Sequence, residues 1–495
     1  MLEPISPPRL TTGIDGLDRV LGGGLPMAGL YLLQGEAGSG KTTLALQFLR
    51  SGVARRERTL LVAFSETLDE LATFAASHGW SLEGIEVMDL SDLRRIFGEA
   101  GQQTLFHPSE IEFAAVVERI RARIQQLRPA RVVIDSLSEL RHLAGEGPRY
   151  RLHMEALKPS LLEHDGTVIF ADGPIAGVGG FALHTLVHGV ITLEYLTPEF
   201  GPYRRRLRVQ KLRNVRFLEG LHDFEIRTGG IAVYPRLASA EPRQAQRQAE
   251  AGERIETGIP ELDRILAGGL DRGTSTLLMG PAGSGKSSLA TRVALAALRR
   301  GEKAAMYLFD ERVPTLLERS VGLGMELRPY LENGQLLARH VDPLELSPGK
   351  FAHMVRTAVE DGMRTVIIDS LTGYVASMGD EASLMLQVRN LLTYLGEHDV
   401  TTLLASVQHG LMGPVDAPAG QVSYLADTVV LLRYYEHGGE VRRAVSVFKR
   451  RAGAHERTIR DIDFAATGIS VGPPLRQFRG VLTGAPEFLE GGEMG

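Results

Sequence analysis

The chain has 495 residues, 43% of them hydrophobic and 23% charged, with a formal net charge of −5. That length exceeds one ordinary domain and points to two or three. The mild acidic balance gives no electrostatic reason to expect broad nucleic-acid binding, and the lack of cysteine excludes disulfides, thiolate metal sites and cysteine nucleophiles.

In chain order, MLEPISPPRL has neither the charged start nor the apolar core of a signal peptide, and no later run reaches the length of a membrane span. A cytoplasmic location is therefore expected. TGIDGLDRVLGGGL (12–25) leads into LYLLQG (30–35), a short apolar run that reads as a buried strand. A glycine-rich segment and a helix follow, then a second strand, TLLVAFS (59–65). EIEFAAVVERIRARIQQL (110–127) spaces its apolar residues at helical intervals, and ARVVIDSL (130–137) is again a buried strand. LRVQKLRN (207–214) reads as a strand with no long helix before it.

The pattern then starts again. TGIPELDRILAGGL (257–270) repeats the lead-in, and LLMGPAGSGKSSLA (277–290) repeats LLQGEAGSGKTTLA (32–45). Lys41 to Lys286 and Glu66 to Glu311 are both offset by 245 residues (286 − 41 and 311 − 66), so the repeat is a domain rather than a short-period solenoid. FAHMVRTAVEDG (351–362), RTVIIDSL (364–371) and AVSVFKRR (444–451) follow in the same order. Strands alternating with helices imply a mainly parallel sheet covered on both faces. The expected organisation is two tandem α/β domains, 1–237 and 254–480, joined by the polar segment 238–253 and followed by a short tail, 481–495.

GEAGSGKT and GPAGSGKS both fit G-x-x-x-x-G-K-[ST] between a strand and a helix. Such a loop turns backbone N–H groups inward around phosphate oxygens at a helix N-terminus. The ATP-binding residues expected are Gly35, Gly38, Ser39, Gly40, Lys41, Thr42 and Thr43, with Gly280, Gly283, Ser284, Gly285, Lys286, Ser287 and Ser288 in the second copy. Lys41 and Lys286 are suited to the β- and γ-phosphates, and the hydroxyls of Thr42 and Ser287 to Mg2+. Asp135 and Asp369 end buried strands, where an aspartate either orients the metal's water shell or caps the next turn; the matched recurrence favours the metal role. Glu66 and Glu311 end the strand beyond the phosphate-loop helix. There a RecA-like ATPase carries the base that orients or deprotonates the attacking oxygen, although strand-end acids are often merely solvated.

These residues resemble the KaiC family, tandem RecA-like ATPases of the cyanobacterial circadian clock. The similarity runs through the lead-ins, both phosphate loops, FSET and FDER, both IDSL strands, and the late QKLRN and FKRRA segments. The resemblance implies a homohexameric double ring that holds ATP between subunits. It implies a carboxylate pair after the second strand that activates water in the first ring and a hydroxyl in the second. Here Ser65 replaces the first acid of one pair, leaving Glu66, whereas Asp310 and Glu311 are both acids. Lys211 with Arg213, and Lys449 with Arg451, match the element that reaches the neighbouring subunit's ATP. QVSYLADTVVLL matches the autophosphorylation segment, with Ser423 at the serine and Tyr424 in place of threonine.

After FRGVLTGAP only EFLEGGEMG remains, so the tail that recruits KaiA in that family is expected to be missing and a KaiA-type partner is not expected. A KaiB-like or signalling partner stays open. The leading expectation is an ATPase and serine autokinase acting as a clock-like switch. Its alternatives are a RecA/RadA-type DNA-dependent motor, for which RRRLRVQKLRNVR (204–216) is the most basic run, and a nucleotide-gated scaffold with little turnover.

Overall fold

The computed structural model describes residues 7–91, 108–144, 148–162, 165–174, 183–197, 203–237, 253–342, 346–376, 381–408, 424–481 and 487–488. The chain divides into two compact units, Met1–Arg236 and Leu237–Gly495. Apart from Glu253, the segment expected as a linker lies outside the described residues, as does most of the tail.

In the first unit nine strands form one sheet: β1 (Leu30–Gly35), β2 (Thr59–Ala63), β3 (Ile85–Asp89), β4 (Arg131–Asp135), β5 (Thr167–Asp172), β6 (Gly189–Leu196), β7 (Arg204–Leu212), β8 (His222–Arg227) and β9 (Gly230–Tyr234). Their spatial order is β3-β2-β4-β5-β1-β6-β7-β8-β9. The first five junctions are parallel and the last three antiparallel. The second unit has β10 (Ser275–Gly280), β11 (Lys303–Leu308), β12 (Leu336–His340), β13 (Met363–Asp369), β14 (Thr401–Val407), β15 (Thr428–His437), β16 (Glu440–Arg450), β17 (Arg460–Ala465) and β18 (Gly468–Pro474). It repeats the same order as β12-β11-β13-β14-β10-β15-β16-β17-β18. Two mainly parallel sheets, each flanked by helices, bear out the α/β reading.

The apolar runs explain the layering. Successive strand residues point to opposite faces, so a strand apolar throughout buries both faces. On β1, Tyr31 and Leu33 join the core beneath the helix Lys41–Ala54, while Leu30 and Leu32 join the core beneath Pro108–Leu127 and Pro148–Leu162. On β10, Leu278 packs with the helix Lys286–Arg299, and Leu277 and Met279 face Pro348–Glu360 and Glu381–Glu397. Among the described residues no helix is long and apolar enough to cross a membrane.

One buried histidine makes the first unit sensitive to acid. The Nδ1 of His222 accepts from the Arg236 amide at 3.0 Å, and Nε2 faces the Leu218 carbonyl at 2.9 Å. Burial, the chief cause, holds this imidazole below the ordinary histidine range. The unfolded chain therefore takes up a proton near pH 6.5 while the folded chain does not, so stability is complete above that pH and is lost as pH falls. The loss reaches at most about 1.4 kcal/mol per pH unit from this group. Urea midpoints of the first unit's transition are expected to decline more steeply between pH 7 and 5 in the natural chain than in His222→Gln; equal slopes would contradict the assignment.

Candidate functional site

Sheet order creates the site. Because β4 and β5 lie between β2 and β1, the C-terminal ends of four neighbouring strands meet the phosphate loop that leaves β1. Glu66 follows β2, Asp135 ends β4 and Asp172 ends β5. In the second unit Asp310 and Glu311 follow β11, and Asp369 ends β13. The backbone ladder continues to the acids: the Phe64 amide donates to the Asp135 carbonyl at 2.8 Å, and Phe309 to Asp369 at 2.6 Å.

Both loops close in the same way. Gly40 and Gly285 cap their helices with φ of 103° and 102°, in the left-handed region that favours glycine. The Lys41 ammonium donates to the carbonyls of Gly35 at 2.8 Å and Glu36 at 2.9 Å. Lys286 donates to Gly280 at 2.8 Å and Pro281 at 2.7 Å. Burial lowers the proton affinity of both lysines, taking Lys286 to about 8 against the opposing pull of Asp369 and Asp310. Gly38 and Gly283 also have positive φ, and Thr43 and Ser288 are buried in the first helical turn.

The hydroxyls and carboxylates pair across the strands. Thr42 donates to Asp135 at 2.9 Å, and the Ser287 hydroxyl hydrogen-bonds Asp369. Burial is the main reason that both aspartates hold protons more tightly than usual; Thr42 and Ser287 oppose it. The hydroxyls of Ser39 and Ser284 and the Oδ2 of Asp369 are buried without a hydrogen-bond partner among the described residues. Orphan polar atoms inside a phosphate loop fit a polyanion and its cation. No group of three or more His, Asp or Glu suited to a metal occurs among the described residues. The Thr42–Asp135 and Ser287–Asp369 pairs would suit a Mg2+ ion that arrives with a nucleotide.

The acid positions differ between the units. Ser65 is exposed, and Glu66 is half-buried. Burial, then the neighbouring charges of Asp135 and Glu70, raise the proton affinity of Glu66. A capping box fixes the next turn: the Thr67 amide donates to Glu70 at 2.8 Å, and the Glu70 amide donates to the Thr67 hydroxyl at 3.3 Å. In the second unit Asp310 is exposed, whereas Glu311 accepts from Arg319 at 2.6 Å.

Three features were missed by sequence reasoning. Arg319 grips Glu311, and its recognisable signal is that the same register in the first half holds phenylalanine (319 − 245 = 74). Asp172 is buried and paired with Arg141, and its charge reaches Lys41; Ser406 takes this place beside β10. A cavity beside the second loop is lined by Gly285, Ser288, Arg319, Leu323, Arg443 and Phe464. The Arg443 guanidinium lies 5.3 Å from the Phe464 ring centre.

The four cations matched to a neighbour's ATP lie on or just after β7 and β16 and bond within their own unit. Lys211 donates to the His184 and Val187 carbonyls, Arg213 to Thr185, Lys449 to Ala426, and Arg451 to Asp427. Much of the basic run on β7 is also engaged: Arg206 with Asp223, Arg208 with Glu194, and Arg205 over the Tyr195 ring. Ser423 lies outside the described residues; Tyr424 is exposed.

A strand, phosphate loop and helix, with a metal-type aspartate and a further acid on adjoining strands, define a RecA-like P-loop ATPase, and this chain carries the set twice. Residues 10–238 and 255–476 match the family model described as "ATPase: KaiC", and the chain belongs to the KaiC ATPase family. It is similar to the circadian clock protein KaiC3 of Synechocystis sp., at 26% identity covering 98% of this chain and 96% of that protein. It is also similar to the circadian clock oscillator protein KaiC of Synechococcus elongatus, at 27% identity with coverages of 97% and 92%. Family membership implies ATP as the nucleotide.

Proposed function

We propose that the first unit hydrolyses ATP, that the second transfers phosphate to Ser423, and that the chain acts as a clock-like signalling switch assembled as a homohexameric double ring. The observation that carries this division is the difference in acids. Glu66 is a half-buried carboxylate with raised proton affinity, while the second unit has an exposed Asp310 beside a Glu311 held by arginine.

In the first unit the oxygen of water forms a bond to the γ-phosphorus while Glu66 takes its proton. The bond from that phosphorus to the β–γ bridging oxygen breaks, and its electron pair leaves with ADP. In the second unit the Ser423 hydroxyl replaces water and Asp310 takes the proton. Thr42 with Asp135, and Ser287 with Asp369, would hold Mg2+, which when bound neutralises charge on the phosphates. Lys211, Arg213, Lys449 and Arg451 are assigned to the neighbouring subunit's ATP, which would make turnover depend on assembly. A phosphate on Ser423 adds up to about two negative charges, enough to bias a subunit contact read by a KaiB-like or signalling partner.

Incubation with Mg-ATP, followed by intact and peptide mass spectrometry with ADP release measured in parallel, tests the proposal. One phosphate on the peptide carrying Ser423, with steady ADP release, is expected. No phosphate on or near Ser423 removes the transfer half; no ADP release leaves a nucleotide-gated scaffold.

A further inference from the structure

Arg319 sits in the last turn of the helix Val313–Val321, eight residues after Glu311. One N–H donates to Glu311 at 2.6 Å and another at 3.4 Å to the second carboxylate oxygen. A third donates at 3.0 Å to the hydroxyl of Ser288, in the first turn of the helix that follows the phosphate loop. Both side chains are mostly buried, with exposures of 25% for Arg319 and 19% for Glu311. A fork of charge-assisted bonds fixes both the position and the plane of a carboxylate, and partial burial makes it stronger than a solvated pair. Phe74, at the matching register, has no donor to offer Glu66, whose electrostatic neighbours are the acids Asp135 and Glu70.

We propose that Arg319 is a positioning residue that withholds Glu311 from water, so that the second site passes its γ-phosphoryl group to a protein hydroxyl, whose proton Asp310 takes, rather than to water. The inference rests on the reading that the second unit turns over ATP. Without the guanidinium, Glu311 turns towards the γ-phosphate and accepts a proton from an attacking water. The oxygen–phosphorus bond forms, the bond to the bridging oxygen breaks, and ADP and inorganic phosphate leave. The second site then behaves as the first does with Glu66. Arg319 thereby selects the acceptor, water or hydroxyl, for one and the same nucleotide.

The test uses the full chain with Mg-ATP and follows ADP release and phosphate incorporation in four forms: natural, Arg319→Phe, Glu311→Gln and the double variant. Arg319→Phe is expected to raise the Glu311-dependent part of kcat for ADP release about tenfold while KM changes less, and to lower incorporation per ADP released. The double variant is expected to return to the level of Glu311→Gln alone. Arg319→Lys keeps a cation but loses the fork, so it should show a smaller gain, and it serves in place of Arg319→Phe if the latter does not fold. A residue needed only for nucleotide binding or packing would change KM, or lower kcat equally in the natural and Glu311→Gln backgrounds, and either result overturns the inference. If the natural chain releases ADP and neither Arg319 variant adds a Glu311-dependent share, this inference alone fails. If no form releases ADP, the proposed function fails and takes the inference with it.

Discussion

Lys286→Ala is expected to lower phosphate incorporation at Ser423 by about 10²–10³-fold or more, the usual cost of deleting a preorganised group that faces developing charge. The ammonium is buried at the mouth of the second loop, pinned to the carbonyls of Gly280 and Pro281, with Asp369 and Asp310 close enough to favour its charge. Burial has brought it to about 8, so near that pH the free site is half-protonated. Phosphates favour the charged form, and ATP binding should therefore draw a proton from solution. Calorimetry at pH 8 in buffers of different ionisation enthalpy reads that uptake, which Lys286→Ala should abolish. Lys41→Ala, by contrast, is expected mainly to impair ring assembly, as seen by light scattering. Unchanged incorporation in the Lys286 variant would contradict the placement of the transfer site.

Glu66→Gln is expected to remove most of the first unit's ADP release, a factor of about 10²–10⁴ for a lost general base. The amide keeps the shape and burial of the carboxylate but cannot take the proton, and Ser65 offers no second acid. With Glu311 held by Arg319, total ADP release should fall nearly as far as the first unit's share. If Glu66→Gln leaves total release untouched while Glu311→Gln removes it, the first unit is structural and the division of labour is reversed.

How much of this was legible depended on how local each signal is. The phosphate loops are contiguous motifs, and Asp135 and Asp369 end runs apolar enough to be strands under any packing, so fold and loops followed from short windows of sequence. The Arg319–Glu311 pair was not legible, because it needs the helix after β11 to bring its last turn back over the acid and against Ser288. Asp172 became visible only with the order of strands: it lies near Lys41 because β5 runs beside β1, a long-range pairing that no local pattern encodes. The close approach of Phe464 to Gly285 was hidden in the same way. A Cβ on that glycine would collide with the ring, so a hairpin some 180 residues away leaves room only for glycine at that loop position (464 − 285 = 179).

The capping box at Thr67 and Glu70 has a thermodynamic counterpart in the other half. There Arg312 occupies the cap position without a side-chain bond, and Pro314 stands in the first turn. The helix start after Glu66 is thus held by side-chain hydrogen bonds formed in the folded chain, and the one after Glu311 by a ring that removes freedom from the unfolded chain. Two copies of one fold thus begin the helix after the acid by different routes, one acting on the folded chain and the other on the unfolded chain.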